Sequence, residues 1–239
     1  MSSARVNLSD KIRQAIETEI STGQLVAGAR IDEQALMERF DVSRTPAREA
    51  MLQLTSAGLL VSVPRQGAMV AGLSAPQYVA MLEILVELEA LAARLSARRM
   101  PEVLRRAMRE AHEACRASAD RDDPRAYFEA NRAFHEAIYD GSMNEVLANQ
   151  LRAMRLRMRQ PQGSLFDRPG RTRNSVAEHQ VVLEAILRGD EDSAHRAMSS
   201  HISVGGNTYA DIIARLPFDP VPSAPGAVRQ AAPPPRKDR

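Results

Sequence analysis

From Ala75 to residue 214 the chain repeats one pattern, an apolar stripe with a period of 3.6 residues, in six successive segments. These segments are residues 75–99, 101–119, 123–140, 143–160, 173–188 and 190–214. Such a period places the apolar side chains on one face of an α-helix, whereas a half-buried strand alternates with a period of two. Pro76, Pro101 and Pro124 lie near the starts of three segments, where a helix tolerates proline. The pattern therefore predicts an all-α helical bundle for residues 75–214.

Composition narrows the class of protein further. Aromatic residues make up only 4% of the chain and tryptophan is absent, a mixture that favours helices over sheets. No apolar run approaches the roughly 18 residues of a membrane span, and the opening MSSARVNLSD has no hydrophobic signal core. We therefore expect a cytoplasmic protein with no membrane association. The single Cys115 excludes an internal disulfide.

The first third of the chain has a different pattern of apolar residues. Apolar spacing predicts helices at residues 8–22, 32–39 and 43–57, and the following LLVSVPRQGAMVAGL reads as a β-hairpin around a PRQG turn. Three short helices and a hairpin are the outline of a winged helix-turn-helix, which we place at residues 8–73. The expected fold class is mainly α, with this unit followed by the helical bundle. Residues 1–7 are expected to be a flexible arm, and the Pro/Ala-rich residues 217–239 a disordered tail.

The third predicted helix begins with cations, although a helix N-terminus is already positive. Arg44 and Arg48, with Thr45 between them, lie on its first turn and a half. In a helix-turn-helix this end enters the DNA major groove, where arginine bonds guanine. The net charge is only +2, so a nucleic-acid site must be a local patch. The pair could equally be solvated surface charges, but the order helix, turn, helix, hairpin favours DNA contact, with Arg65, Gln66 and Gly67 added by the hairpin turn.

Histidines supply the second functional pattern. Asn131 and His135 are four residues apart and so share one helix face. His179 and His201 lie on two further predicted helices. Three histidines on three helices could converge in a bundle and hold a divalent metal, as ligands do in helical cores. Taken singly, each is more often a hydrogen-bonded core residue than a ligand.

Other polar residues near these histidines favour simpler interpretations. His112 and His195 have no partner at ligand spacing, and we expect both to face solvent. An enzyme that used Glu136 or Glu178 as general base is disfavoured. Adjacent helix positions point about 100° apart, so a glutamate next to a liganding histidine is expected to face away from the metal.

Residues 28–70, GARIDEQALMERFDVSRTPAREAMLQLTSAGLLVSVPRQGAMV, resemble the DNA-binding domain of the GntR family of bacterial transcription regulators. The most specific parts are VSRTPAREAMLQL, the following GLL and the wing RQGAMV. Phe40 and Asp41 replace the family's usual Leu and Gly. The resemblance also points to Arg30 and Gln34, at which members differ. It implies that operator DNA is contacted by Arg44, Thr45, Arg48, Gln66 and Gly67.

Residues 75–214 are similar to the FCD ligand-binding domain of the FadR subfamily. The shared motif is an Asp or Asn, three residues and a His, then a His in an EH pair, then a His on the last helix. The resemblance assigns a divalent metal, zinc first with nickel or manganese as alternatives, to Asn131, His135, His179 and His201. It also implies a small carboxylate effector that completes the coordination of the metal. Asn in place of Asp removes one negative charge from the ligand set.

The chain departs from the subfamily at one position. An arginine that clamps the effector carboxylate is common there, but the matching position here is Leu85 or Val86. Residues 151–173 contain seven arginines and one aspartate. Most of these arginines are expected to form a solvated basic face, and Arg157 is the candidate to reach inward.

These patterns together predict a ligand-responsive transcription regulator. One recognition helix reads few base pairs, so we expect a homodimer on a palindromic operator. The resemblance implies a repressor that is released by a small organic acid. The alternatives are a regulator whose metal is purely structural and a helical metal-dependent enzyme acting on a small organic acid.

Overall fold

A computed structural model describes residues 7–63, 67–158, 166 and 169–215. Its helices and strands, in chain order, are α1 Leu8–Thr22, β1 Arg30–Ile31, α2 Glu33–Phe40, α3 Arg44–Ser56, β2 Leu60–Val63, β3 Gly67–Val70, α4 Ala75–Arg99, α5 Glu102–Asp120, α6 Pro124–Gly141, α7 Glu145–Met158, α8 Arg171–Arg188 and α9 Glu191–Arg215. The chain divides into two compact units, and the second of these includes every helix from α4 onward. The predicted fold class is confirmed.

The first unit contains α1 up to Glu19, α2, α3 and a small sheet. The carboxylate of Asp32 accepts a hydrogen bond from the Gln34 amide at 3.4 Å and caps α2. Asp41 ends α2 with φ 51°, a left-handed conformation in which glycine is favoured. This geometry explains why glycine is usual at this position in the family that the sequence resembles.

The sheet has three antiparallel strands in the order β1–β3–β2. The hairpin of β2 and β3 was predicted, with Leu60 opposite Val70. Strand β1 was not, because its two residues are too few to show an alternating pattern. Arg30 lies opposite Met69 of β3 and extends the sheet on the other side.

In the part of the second unit that the structure describes, six helices pack around an apolar core. Fully buried members of this core include Phe134, Ile138, Leu151, Val182 and Met198. The helices lie within a few residues of their predicted positions. Within the described part of the chain, no helix combines the length and hydropathy that a bilayer span requires.

Two helices of this unit begin away from the predicted residue for identifiable reasons. Helix α7 begins at Glu145 rather than residue 143, because Met143 has a left-handed φ of 51° and the Asn144 side chain accepts a hydrogen bond from the Leu147 amide at 3.1 Å. Helix α8 begins at Arg171, directly after Gly170 with φ 75°. A left-handed residue therefore precedes each helix, and α7 has a side-chain cap in addition.

Helix α3 is anchored to the first unit by its buried face, on which Leu54 is completely buried. We expect Leu54→Ala to lower the free energy of unfolding by about 2–5 kcal/mol, because it removes packed methyl groups and leaves a cavity. Leu52 on the same helix is 59% exposed, so Leu52→Ala should change it by less than about 0.5 kcal/mol. Urea unfolding followed by circular dichroism measures both. Equal effects of the two substitutions would contradict this packing.

Candidate functional site

The N-terminal end of α3 presents polar side chains to solvent. Arg44, Thr45 and Arg48 are all exposed. The Arg44 side chain is 77% exposed, and its Nε donates a hydrogen bond to Glu33 of α2 at 2.5 Å. A surface ion pair of this kind contributes little stability, so Arg44 can exchange Glu33 for a phosphate or a base at low cost.

The other predicted DNA-contacting residues belong to the sheet and its turn. Arg30 is exposed on β1. Gly67 begins β3, is exposed and has φ 83°, a conformation that allows close approach to another backbone. Arg65 and Gln66 lie outside the described residues, as do the predicted flexible arm up to residue 6 and the tail from residue 217. Gln34 on α2 is exposed and bonds Glu38 at 3.0 Å.

The second site lies in the interior of the bundle, where three buried histidines meet. His135 comes from α6, His179 from α8 and His201 from α9. The Nε2 atom of His201 lies 3.2 Å from that of His179 and 3.3 Å from that of His135. Asn131 is buried one helical turn before His135. The predicted convergence of the three histidines is therefore present.

The spacing of these nitrogen atoms fits a metal ion better than a hydrogen-bond cluster. A neutral imidazole has one donor and one acceptor nitrogen, so three Nε2 atoms that face one another cannot all be paired among themselves. Zinc–nitrogen distances of about 2.0–2.1 Å place tetrahedral ligands about 3.3–3.4 Å apart. Imidazole is also a preferred ligand of zinc, nickel and copper. The residues present therefore fit a divalent transition metal.

Burial keeps these imidazoles neutral. Desolvation lowers the pKa of His135 to about 4 and the pKa of His179 well below its usual value. Burial also lowers the pKa of His201, although Glu178 acts in the opposite direction. A metal ligand must be unprotonated, so near neutral pH no proton has to leave these three rings before a metal binds.

A buried carboxylate orients His135. Glu89 of α4 is fully buried, and its Oε2 lies 3.3 Å from His135 Nδ1. The Tyr139 hydroxyl donates to Glu89, and Arg155 Nε donates to the same carboxylate at 2.6 Å. Burial alone would raise the pKa of Glu89, but Arg155, His135 and Tyr139 lower it to about 2. A neutral His135 that donates from Nδ1 to Glu89 directs its Nε2 lone pair toward the other histidines.

A second carboxylate performs the same role for His201. Glu178 Oε2 lies 2.6 Å from His201 Nδ1, and Arg171 holds Glu178 through two hydrogen bonds of 2.7 and 2.9 Å. Glu178 was expected to face away from the metal, and it contacts Nδ1 of His201 rather than the Nε2 atom that meets the other two histidines. Its backbone position points elsewhere than that of His179, but its long side chain reaches the neighbouring helix. His179 Nδ1 has no hydrogen-bond partner among the described residues.

The structure corrects one further prediction near this site. Arg155, not Arg157, reaches the histidines: its Nη2 lies 3.2 Å from His135 Nδ1, whereas Arg157 is half-buried with its Nε unpaired among the described side chains. Arg155 follows buried Leu151 by one turn and so shares its face. Leu85, at or next to the position where the subfamily commonly has its clamping arginine, is a buried core residue.

His112 does not face solvent as expected. It is buried on α5, with its ring centroid 6.0 Å from Phe134 and 6.4 Å from His179. His112 follows buried Met108 by four residues and so lies on the same face of α5. The spacing of apolar residues within this helix therefore predicts that His112 is buried. His195 is half-buried and lies outside the triad.

Sequence comparisons match both units to known families. Residues 8–70 match the family described as bacterial regulatory proteins, gntR family, and residues 80–204 match the FCD domain. The chain is 26% identical over 200 residues to a "Probable D-xylose utilization operon transcriptional repressor" of Paenarthrobacter nicotinovorans, covering 83% of this chain and 87% of that protein. It is 25% identical over 196 residues to the HTH-type transcriptional regulator McbR of Escherichia coli, covering 81% and 89%.

The solved structure of Escherichia coli McbR/YncC has the same fold. It superposes with a TM-score of 0.74 at 24% identity, over 87% of this chain and 99% of that chain. The chain belongs to the GntR family of bacterial regulatory proteins, carries an FCD domain, and is a transcriptional regulator rather than an enzyme.

Proposed function

We propose that this regulator is a repressor whose operator affinity is lowered by a small organic acid bound at a divalent metal. His135, His179 and His201 would hold the metal, and Asn131 would complete the protein ligands. The convergence of the three Nε2 atoms at 3.2 and 3.3 Å carries the proposal. When bound, the metal supplies a concentrated positive charge that attracts an anionic oxygen ligand.

The charges around the triad favour an anionic effector. The imidazoles and the Asn131 amide are neutral ligands. Each nearby carboxylate already has a cationic partner, Glu89 in Arg155 and Glu178 in Arg171. Neutral ligands would leave the positive charge of a bound divalent ion uncompensated. A carboxylate that entered this desolvated interior would balance part of that charge.

The comparisons support repression of transcription rather than activation. One relative is described as a transcriptional repressor of a D-xylose utilization operon. In our proposal the effector binds more tightly to a form of the protein with low operator affinity. The coupling between the two ligands is then of the usual size, about 1–3 kcal/mol.

Metal loading tests the site directly. The wild-type chain should retain about one divalent ion per chain, and His179→Ala should retain almost none, because a buried ligand is lost. His195→Ala is the matched control and should retain the ion. Elemental analysis after gel filtration measures this, and a loaded His179→Ala variant would refute the assignment.

The same variant separates a sensing metal from a purely structural one. If the metal senses the effector, folded His179→Ala should still bind operator but lose release by organic acids. If the metal is only structural, the variant should lose helical circular dichroism while any acid response of the remaining folded protein persists. Operator binding with and without acid is read by fluorescence anisotropy on the same samples.

DNA binding is expected to depend on the N-terminal turn of α3. We expect Arg48→Ala to weaken operator binding by about 1–3 kcal/mol, because it removes a contact to a base or phosphate. The operator can be selected with the wild-type protein from a random duplex library. Arg132→Ala, an equal change of charge at an exposed position of α6, should bind like wild type. Unchanged affinity of Arg48→Ala would exclude this helix end as the DNA contact.

An apolar stripe on α4 supports a homodimer. Ile84 is 56% exposed and Leu91 is 38% exposed, while Leu88 and Leu95 pack only partly against the core. The four residues are spaced by four, three and four positions, the heptad spacing of a helix–helix seam. We infer that a second copy of the chain covers this stripe.

The charges beside the stripe favour an antiparallel twofold pairing. Exposed Glu83 and Glu87 lie in its first half, and exposed Arg94 and Arg98 lie in its second half. A twofold axis near the middle of α4 would bring each acidic half against the basic half of the other copy, as a self-complementary interface requires. Arg94 also lies 3.4 Å from Asp192 of its own chain, so the apolar seam is the main contribution.

Charges placed in the seam should separate the copies. We expect the double variant Ile84→Glu, Leu91→Glu to weaken dimerisation by more than about 1–2 kcal/mol, because both carboxylates would be desolvated without a partner. Val103→Glu is the control, since Val103 is 70% exposed on α5, outside the stripe. Analytical ultracentrifugation over a concentration series measures the dissociation constant. A stripe variant that dimerises like wild type would exclude α4 as the interface.

A further inference from the structure

Helix α3 carries a large apolar side chain on the face that it turns to solvent. Leu52 is 59% exposed, whereas Ala47, Ala50 and Leu54 of the same helix are completely buried. Successive helix positions are rotated by about 100°, so Leu52 lies about 160° around the helix from Leu54. Leu52 therefore lies nearly opposite the face that anchors α3 to the first unit.

The neighbours of Leu52 on this face include the residues proposed to contact DNA. Arg48 precedes Leu52 by four positions and Thr45 precedes it by seven, so they lie about 40° and about 20° from it around the helix. Arg44 and Arg48 are exposed on one side of Leu52, and Thr45 and Glu49 are exposed on the other side. Leu52 therefore lies at the centre of the exposed face rather than at its edge.

The position of Leu52 gives its exposure a meaning that exposure alone does not have. A single exposed leucine is common on protein surfaces and indicates no site. Here, however, the leucine is flanked by Arg44 and Arg48, and residues 8–70 match the gntR family of regulatory proteins. Both observations favour duplex DNA over a protein surface as the partner of this face.

The chemistry at the centre of the face suits base edges and not the phosphate backbone. A leucine side chain has no hydrogen-bond donor or acceptor for a phosphate oxygen, and the carboxylate of exposed Glu49 repels phosphate. In the major groove, the 5-methyl group of thymine is an apolar group that side chains can contact. Two apolar groups gain free energy when they leave water together. Leu52 therefore suits a thymine.

Distance along the helix places such a thymine close to the other contacts. Leu52 lies four residues beyond Arg48, which is about 6 Å along the helix axis. Successive base pairs are about 3.4 Å apart, so this distance is about two base-pair steps. A thymine contacted by Leu52 and a base contacted by Arg48 can therefore belong to the same half-site.

We propose that Leu52 is a specificity-determining residue that packs against the 5-methyl group of a thymine in each operator half-site. This rests on the proposed function, in which the N-terminal part of α3 contacts the operator. Arg44 and Arg48 supply charge and hydrogen bonds, and Leu52 adds an apolar contact that a base without a methyl group cannot make. The contact adds sequence preference and leaves the salt dependence of binding unchanged, because it releases no counterion.

Removal of single methyl groups from the DNA tests this contact. The operator is selected with the wild-type protein from a random duplex library, and each thymidine of one half-site is then replaced in turn by deoxyuridine, which lacks only the methyl group. Fluorescence anisotropy with the full-length protein measures the affinity. We expect deoxyuridine at one position to weaken binding by about two- to fourfold, since burial of one methyl group favours binding by up to about fourfold.

The variant Leu52→Ala connects this effect with the side chain. It should bind the thymine operator about three- to tenfold more weakly than wild type and no longer distinguish thymine from deoxyuridine at that position. Its affinity should depend on salt concentration as that of wild type does, whereas Arg48→Ala, which removes a cation, should lower this dependence. Val103→Ala, at an exposed apolar position of α5, is the control and should behave like wild type.

The other outcomes separate failure of this inference from failure of the proposed DNA contact. If the selected half-site has no thymine whose methyl group matters, or if Leu52→Ala retains the full deoxyuridine effect, the thymine contact is wrong, and the DNA-binding face stands as long as Arg48→Ala weakens binding. If neither variant weakens binding, this face does not contact the operator, and both proposals fail. If Leu52→Ala weakens binding to every duplex equally and also weakens dimerisation in the ultracentrifuge, Leu52 contacts a second copy of the chain and not DNA.

Discussion

The second unit depends on the burial of three imidazoles whose Nε2 atoms face one another. Placing three histidines in an apolar interior is unfavourable unless their polar atoms have partners and their charged forms are avoided. Desolvation meets the second condition, because it lowers the pKa of all three rings. The outer nitrogens of His135 and His201 find carboxylates, so their inner nitrogens remain available at the centre.

Each carboxylate that orients a histidine is an anion that an arginine in turn stabilises. A buried anion is costly, and a paired one is tolerated only when its hydrogen bonds are satisfied. Glu89 is held by Arg155 and Tyr139, and Glu178 is held by Arg171. The bonds of Glu89 connect α4 with α6 and α7, and the contact of Glu178 with His201 connects α8 with α9. The same contacts that orient the histidines therefore fix the packing of the helices that present them.

The first unit uses its charges in the opposite way. Its apolar core, which includes Leu54 of α3, is buried, and cations such as Arg44 and Arg48 remain at the surface. The Arg44 side chain is 77% exposed and pairs with half-buried Glu33, so solvent and salt screen this ion pair. If α3 contacts DNA as we propose, this arrangement is needed, because its arginines would have to leave their protein partners for the duplex. The histidine site instead excludes water, so the charge of a bound ion would be felt strongly by a small ligand.

Local patterns in the sequence were enough to determine the helices, the hairpin, the exposed arginines of α3 and the shared face of Asn131 and His135. Periodicity and capping act over a few residues and can be read from neighbours along the chain. The partners of the triad could not be read in this way. Glu89 and Arg155 are 66 residues apart, and the long side chain of Glu178 reaches α9 against the direction of its own helix position. Only the packing of the helices decided which arginine enters the core and which carboxylate turns toward a histidine. The reason is that burial penalises every charge that lacks a partner.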